Sequence, residues 1–243
     1  MSAVAGQALE GRHALVTGGG RGIGAAIAAA LLAQGARVTL LGRDAARLEA
    51  ACAAHPGRMR AVVADVADEG AVARAFAQAR EGFGPLAILV NNAGQAESAP
   101  FLRTGAELWR RMIDVNLTGT MLCSQAALPD MLAANWGRIV NVASTAGIKG
   151  YAYVAAYCAA KHGVIGLTRA LAAEVARSGV TVNAVCPGYT RTDLLSASIA
   201  NVVARTGRDE EQARSMFAAS SPQGRVLEPE EVAAAVAWLC LPS

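Results

Sequence analysis

Aromatic residues make up only 5% of this 243-residue chain, so its core must be mostly Ala, Val, Leu and Ile, within the 53% that is hydrophobic. No apolar run approaches the roughly 18 residues a membrane span requires. Residues 1–10 lack a basic stretch followed by an apolar core, so no signal peptide is evident. The five cysteines, Cys52, Cys123, Cys158, Cys186 and Cys240, are scattered, with no Cys-x-x-Cys. An odd, dispersed set reads as reduced thiols in a cytoplasm. His13, His55 and His162 have no ligand spacing, and no metal site is expected. His162 adjoins Lys161 but is read as structural or solvent-facing. The net charge of +3 is small and spread out. With no basic run, nucleic acid and membrane surfaces are not expected partners.

What is present is a repeating alternation. Strand candidates fall at 13–17, 36–41, 60–64, 86–90, 138–143 and 180–185. Helix candidates fall at 22–34, 44–54, 68–81, 104–115, 117–134, 154–177 and 229–240. Apolar strands alternating with amphipathic helices imply an α/β fold, a parallel sheet covered on both faces. Right-handed crossovers and a glycine turn after the first strand favour a doubly wound sheet of order 3-2-1-4-5-6. No linker or repeat interrupts the chain, so 1–243 reads as one domain. Residues 188–228 follow no strand–helix pattern, and an excursion of that length is expected to be a substrate lid with one or two short helices.

The glycine turn is Thr17-Gly-Gly-Gly-Arg-Gly-Ile-Gly24, directly after the strand 13–16 and directly before a long Ala/Leu helix. Gly18, Gly22, Ile23 and Gly24 would let the backbone approach a dinucleotide pyrophosphate. The helix N-terminus would supply free N–H groups and a positive dipole end. The second strand ends at Gly42, where an acid would bind the adenosine ribose hydroxyls of NAD. Arg43 follows at once, and Arg21 lies inside the glycine turn. Two guanidinium groups suit a 2′-phosphate through bidentate hydrogen bonds. The predicted cofactor is therefore NADP(H). NAD(H) becomes competitive if Asp44 turns its carboxylate to the ribose, but Asp44 is read as a helix N-cap.

Tyr157 and Lys161 stand four residues apart in Tyr-Cys-Ala-Ala-Lys, with Ser144 thirteen residues upstream. On a helix an i, i+4 pair shares one face. A cation there favours phenolate, bringing the phenol down from its ordinary pKa of about 10. A general acid/base near neutrality needs about 3–4 kcal/mol of such help. Ser144, after the strand 138–143, can donate to the same substrate oxygen.

Together these motifs resemble the short-chain dehydrogenase/reductase family, from about Glu10 to Cys240. The resemblance rests on Thr17-Gly-x-x-x-Gly-Ile-Gly24, Asp65-Val66, Asn91-Asn-Ala-Gly94, Asn116, Ser144, Tyr157, Lys161, Pro187-Gly188 and Thr192. It implies a Rossmann-type fold and hydride transfer between a nicotinamide and a carbonyl or secondary alcohol. It further implies that Asp65 contacts the adenine amino group and that Val66 lies against the ring. Asn92, Ala93 and Gly94 would line the ribose, while Asn91 stabilises the sheet. Asn116 would bend its helix and hold a water linking Lys161 to solvent. Pro187 and Gly188 sit at the carboxyl edge of the sheet, and Thr190 or Thr192 would bond the nicotinamide amide, with Thr192 favoured by the family pattern. Relatives usually continue past 229–240 into a last strand, which is expected to be absent here because the chain stops at Ser243. Dimers or tetramers are expected through helices 104–134 and 154–177.

In the expected reduction, a ketone oxygen lies between Ser144 and Tyr157. Tyr157 protonates the developing alkoxide, Ser144 stabilises its charge, Lys161 holds the nicotinamide ribose and lowers the Tyr157 pKa, and Asn116 with water resupplies the proton. Gln95 to Phe101, Ala146 to Val154 and the lid should form the substrate pocket, with Ile148, Tyr151, Tyr153 and Leu194 apolar and Lys149, Arg191 and Arg205 basic. Basic residues at the mouth suit a coenzyme A or carrier-protein thioester. The chain looks most like bacterial 3-oxoacyl-thioester and polyketide ketoreductases. Secondary-alcohol and 3-hydroxyacyl-CoA dehydrogenases share every motif, and a non-catalytic cofactor-binding regulator is the alternative of another class.

Overall fold

The computed structural model describes residues 7–242. Its strands are β1 (His13–Thr17), β2 (Arg37–Gly42), β3 (Met59–Val63), β4 (Ile88–Asn91), β5 (Gly137–Val142) and β6 (Val180–Val185). All pair in parallel, in the order β3-β2-β1-β4-β5-β6, which is the predicted doubly wound order. Successive strand side chains point to opposite faces, and here both faces are covered. Ala14 and Val16 of β1 enter one apolar layer with Ile88, Val90, Val140 and Val142. Leu15 enters the other, with Leu89 and Ile139. Two-sided burial is why these strands read as unbroken apolar runs. Each fully buried Leu, Ile or Phe stabilises the fold by about 1.5–3 kcal/mol.

Nine α-helices lie among the described residues: α1 (Gly22–Ala33), α2 (Ala45–Ala53), α3 (Glu69–Phe83), α4 (Ala106–Ile113), α5 (Gly119–Ala133), α6 (Ala155–Glu174), α7 (Asp193–Thr206), α8 (Glu210–Ala219) and α9 (Pro229–Cys240). Side-chain caps set several starts. Asp44 accepts from the Arg47 N–H at 3.1 Å and Asp68 from the Ala71 N–H at 2.8 Å. Such caps stabilise a helix end by about 1 kcal/mol. Glu228 and Glu231 form a capping box around Pro229 at the start of α9. No helix among the described residues is long and apolar enough to cross a membrane.

The stretch 104–134 departs from two separate helices. One turn of π-helix, Asp114–Thr118, joins α4 to α5. Its cause is Asn116, fully buried, whose Nδ2 donates to the Met112 carbonyl at 2.9 Å and to the Gln95 carbonyl at 2.9 Å. An amide competing for helix carbonyls widens the turn. Asn91 serves the sheet, as the resemblance implies. Its Nδ2 donates to Ser124 Oγ at 3.0 Å and Asn141 Oδ1 at 2.9 Å.

The excursion 188–228 is more regular than expected, since α7 and α8 run 14 and 10 residues. Leu195, Ile199 and Ala213 form a small core between them, with Tyr189 and Phe217 packed against it. The base of the excursion is closed. Arg191 N–H donates to the Leu227 carbonyl and Leu227 N–H to the Tyr189 carbonyl, each at 2.8 Å.

Candidate active site

A cleft of about 1750 Å³ runs along the carboxyl ends of the strands, under α7 and α8. That exceeds the roughly 300–1,000 Å³ of an ordinary small-ligand pocket.

The glycine turn forms one wall. Gly22 has φ of +50°, which disfavours side chains, and a Cβ there would stand 3.1 Å from the Thr192 methyl. A Cβ on Gly24 would lie 2.2 Å from the Gly18 carbonyl oxygen, so only glycine fits. Asn92 holds this turn, its Nδ2 donating to the Thr17 and Gly18 carbonyls at 3.0 and 3.3 Å. Asn92 lines the cleft, but its side chain is turned to the loop. Thr17 Oγ1 accepts the N–H groups of Asn92 and Ala93, each at 3.0 Å. The first turn of α1 carries no acid and no side-chain cap. Its N–H groups therefore face the cleft as an anion site. These residues fit a dinucleotide pyrophosphate.

At the end of the cleft beside β2, Asp44 is the N-cap of α2, as read from the sequence. Neither arginine assigned to the ribose stands alone. Arg43 lies 3.6 Å from Asp65, and Arg21 Nη1 donates to Asp193 Oδ2 at 2.5 Å. Arg47 joins the same Asp193 oxygen at 3.2 Å and Asp44 at 3.1 Å. Sequence reasoning missed Arg47 and Asp193, although both line the cleft. Asp65 also accepts the Ala67 N–H at 3.0 Å, and Val66 is buried beside Gly119.

At the far end, β5 and α6 bring Ser144, Tyr157 and Lys161 to one wall. Lys161 is buried, its Nζ donates to the Val142 carbonyl at 2.9 Å, and it lies 5.7 Å from the Tyr157 ring centroid. The electrostatics correct the sequence expectation. Burial pushes the Tyr157 phenol up to about 12, against a smaller downward pull from the Ser144 hydroxyl. Burial likewise pushes the Lys161 ammonium down to about 8. Desolvation penalises both charged forms and outweighs the i, i+4 attraction, because the ammonium is directed at a backbone carbonyl. Tyr157 thus keeps its proton at neutral pH.

Asn116 also serves the neighbouring backbone. Besides its two donations, its Oδ1 accepts the Gln95 N–H at 3.2 Å. It clamps the 92–95 loop, placing Gly94 so that a Cβ there would come 3.7 Å from Lys161 Nζ and 2.8 Å from Asn116 Oδ1. Pro187, Gly188, Thr190 and Thr192 all line the cleft. Thr190 is buried, its Oγ1 donating to the Gly188 carbonyl at 3.2 Å, while Thr192 caps α7. His162 is exposed, its Nδ1 bonded to the Cys158 carbonyl at 2.9 Å.

The expected pocket segments line the cleft in part. Gln95 to Ser98, Pro100, Ala146 and Tyr151 to Val154 do so, but Ile148, Lys149, Phe101 and Arg191 do not. Ile148 is 61% exposed, Lys149 lies over the Tyr151 ring and Arg191 is bound by Glu228. Of the three basic mouth residues, Arg205 alone reaches the cleft. Tyr151 lines the cleft as expected, but its partners were not foreseen: Tyr151, Tyr189 and Phe217 stack edge to face at 6.2 and 4.7 Å. Asn201 of α7 donates to Ser98 at 2.8 Å, bridging the cleft roof to the β4 loop. Tyr153 has φ of +67° and its carbonyl accepts the Ala99 N–H at 2.8 Å. Such a conformation costs about 1–3 kcal/mol, and strain of that kind clusters at binding sites.

Comparison with known proteins gives the family. The family model described as short chain dehydrogenase matches residues 12–220. The D-beta-hydroxybutyrate dehydrogenase of Cupriavidus necator is 40% identical over 235 residues, covering 95% of this chain and 91% of that protein. The 3-oxoacyl-(acyl-carrier-protein) reductase of Vibrio cholerae is 39% identical over 236 residues, covering 96% and 91%. The crystal structure of a variant actinorhodin polyketide ketoreductase with NADPH aligns with a TM-score of 0.91 at 36% identity, covering 95% of this chain and 90% of that one.

Proposed function

The chain belongs to the short-chain dehydrogenase family and is an oxidoreductase acting on CH–OH and C=O groups; we propose that it reduces a ketone, with 3-oxoacyl thioesters as the substrate class, using NADPH. The observation that carries this reading is that one cleft holds the open α1 N-terminus at one end and the Ser144, Tyr157 and Lys161 group at the other.

When bound, the nicotinamide supplies the hydride. Gly18, Gly22, Ile23 and Gly24 hold the pyrophosphate, Asp65 and Val66 the adenine, and Asn92, Ala93 and Gly94 the ribose side. Pro187, Gly188 and Thr190 or Thr192 hold the nicotinamide end. Arg21 and Arg43 favour a 2′-phosphate, and Arg47 adds a third guanidinium. Lys161 holds the nicotinamide ribose with its ammonium. Ser144 donates a hydrogen bond to the substrate oxygen, and Tyr157 transfers its proton there as the alkoxide develops. An alkoxide is a far stronger base than a phenolate, so a phenol held near 12 still delivers its proton. At neutral pH a phenol held near 12 is almost wholly protonated, the form that donates in reduction. Asn116 positions the Gln95 loop, and a water beside it resupplies the proton. Residues 188–228 act as the substrate lid.

The oxidative reading, a secondary-alcohol or 3-hydroxyacyl-CoA dehydrogenase, uses the same residues in reverse and draws on the likeness to the Cupriavidus necator dehydrogenase. We place the chain in the cytoplasm, as five free thiols suit. We further propose a homodimer or homotetramer through α4, α5 and α6, where Trp109, Met121 and Leu132 are exposed. Initial rates of acetoacetyl-CoA reduction with NADPH and with NADH test the main reading. Fast NADPH oxidation with little NADH activity supports it. Turnover confined to secondary alcohols and NAD overturns it.

A further inference from the structure

Asp193 is the first residue of α7, and its carboxylate joins three elements. It receives Arg21 of the glycine turn at 2.5 Å and Arg47 of α2 at 3.2 Å. Arg47 is also shared with Asp44, the cap of α2, at 3.1 Å. All these groups are about half exposed, and they border the space into which the adenosine ribose must enter. The approach is close in the backbone too, since the Thr192 methyl stands against Gly22. Resting on the reading that the cofactor is NADP(H), we propose that Asp193 is an internal competitor of the cofactor's 2′-phosphate. It occupies Arg21 and Arg47, ties the lid helix to the glycine turn, and gives both arginines up when a 2′-phosphate enters.

Three physical points support the exchange. Exposed ion pairs contribute little net stability, so this one yields readily. A phosphate monoester carries nearly twice the charge of a carboxylate and three strong acceptor oxygens, so it outcompetes Asp193 for two forked guanidinium groups. The helix survives the loss, because Thr192 still caps it through the Leu195 N–H. Asp193 is then held by the positive end of the α7 dipole. Arg21 beside it keeps its carboxyl below the usual range, so it is ionised throughout the working range. A cofactor without the 2′-phosphate leaves the tie in place. Asp193 thereby becomes a specificity residue: it lowers the affinity for NADP(H) by the cost of its displacement, and it makes freeing of the lid helix depend on which cofactor binds.

The test measures binding, not turnover. Adenosine 2′,5′-bisphosphate carries the phosphate and 5′-AMP lacks it. Titration calorimetry of each is run on the wild type, Asp193→Asn and Asp193→Ser, the serine variant guarding against an effect peculiar to asparagine. Hydrogen exchange is followed over residues 193–206. The expected result is that both variants bind the bisphosphate about fivefold tighter, equivalent to about 1 kcal/mol, with AMP unchanged. Exchange in the first turn of α7 should accelerate in the variants without ligand, and in the wild type only with the bisphosphate. If the wild type prefers the bisphosphate and the variants bind it no tighter, the competitor is overturned and the NADP reading stands. If the wild type shows no preference but the variants acquire one, the competitor stands and the NADP reading falls. No preference in any of the three overturns both.

Discussion

Replacing Lys161 with methionine should abolish reduction while leaving the protein as stable as the wild type or more so at neutral pH. Lys161 is buried and its ammonium is pushed from the ordinary 10.5 down to about 8. At pH 7 the folded chain still carries the charge, and the depression corresponds to about 3 kcal/mol of strain from keeping it. Methionine removes that cost and keeps the volume. Against it stands the 2.9 Å bond to the Val142 carbonyl, whose loss costs about 1–3 kcal/mol if the oxygen is left unsatisfied. The difference is a gain of about 0–2 kcal/mol, or up to about 8 °C in Tm for a chain of this size. The pH dependence fixes the cause. A lysine with a lowered folded-state pKa contributes stability fully above the unfolded value, and that contribution is lost as pH falls through the folded one. Wild-type stability should therefore rise between about pH 8 and 10.5 relative to the methionine variant, closing the gap. Calorimetric unfolding of both proteins at pH 7 and pH 10, without cofactor, measures it. A variant destabilised by more than about 2 kcal/mol at pH 7, or a gap that does not change with pH, refutes the reasoning.

Tyr157→Phe should lower ketone reduction by about 10²–10⁴-fold with NADPH binding retained in a fluorescence titration. Retained turnover would hand the proton to another phenol, such as Tyr151. Gly24→Ala should weaken cofactor binding and lower Tm, because its methyl would meet the Gly18 carbonyl at 2.2 Å and displace Asn92; the roughly 1 kcal/mol helix-propensity gain of alanine is too small to compensate. His13 is buried between the Gly84 carbonyl and Thr39 Oγ1, both at 2.8 Å, and burial lowers its pKa, with Arg60 and Arg80 adding to the shift and the Gly84 carbonyl and Asp130 opposing it. Its stabilising contribution is present above its ordinary pKa of about 6.5 and lost below it, so His13→Gln should show a flatter stability profile from pH 7 to 5 in urea unfolding.

The parts of this molecule legible from sequence are those where backbone geometry dictates residue type. Gly24 is glycine because nothing else fits, and the strands are apolar throughout because both faces are covered. Asp44 was readable as a cap because capping is a three-residue affair. The direction of the Tyr157 shift was not readable, because spacing places Lys161 on the right face but does not reveal burial or the carbonyl that claims its Nζ. The Arg47–Asp193 pair spans 146 residues, and no local pattern joins such positions. Arg191 looked like a mouth residue for the same reason: its partner Glu228 belongs to the cap of a later helix.

The closed base of the 188–228 excursion has an evolutionary consequence. Its two ends are stitched together by the Arg191–Leu227 and Leu227–Tyr189 backbone bonds, and its interior packs on itself around Leu195, Ile199 and Ala213. Doubling the length of a loop whose ends already meet costs only about 0.6 kcal/mol. The excursion is thus an exchangeable cassette. Sequence beyond Asp193 can drift, lengthen or be grafted from a relative without altering the register of the sheet, while Thr192 and Asp193, which touch the glycine turn, are held in place.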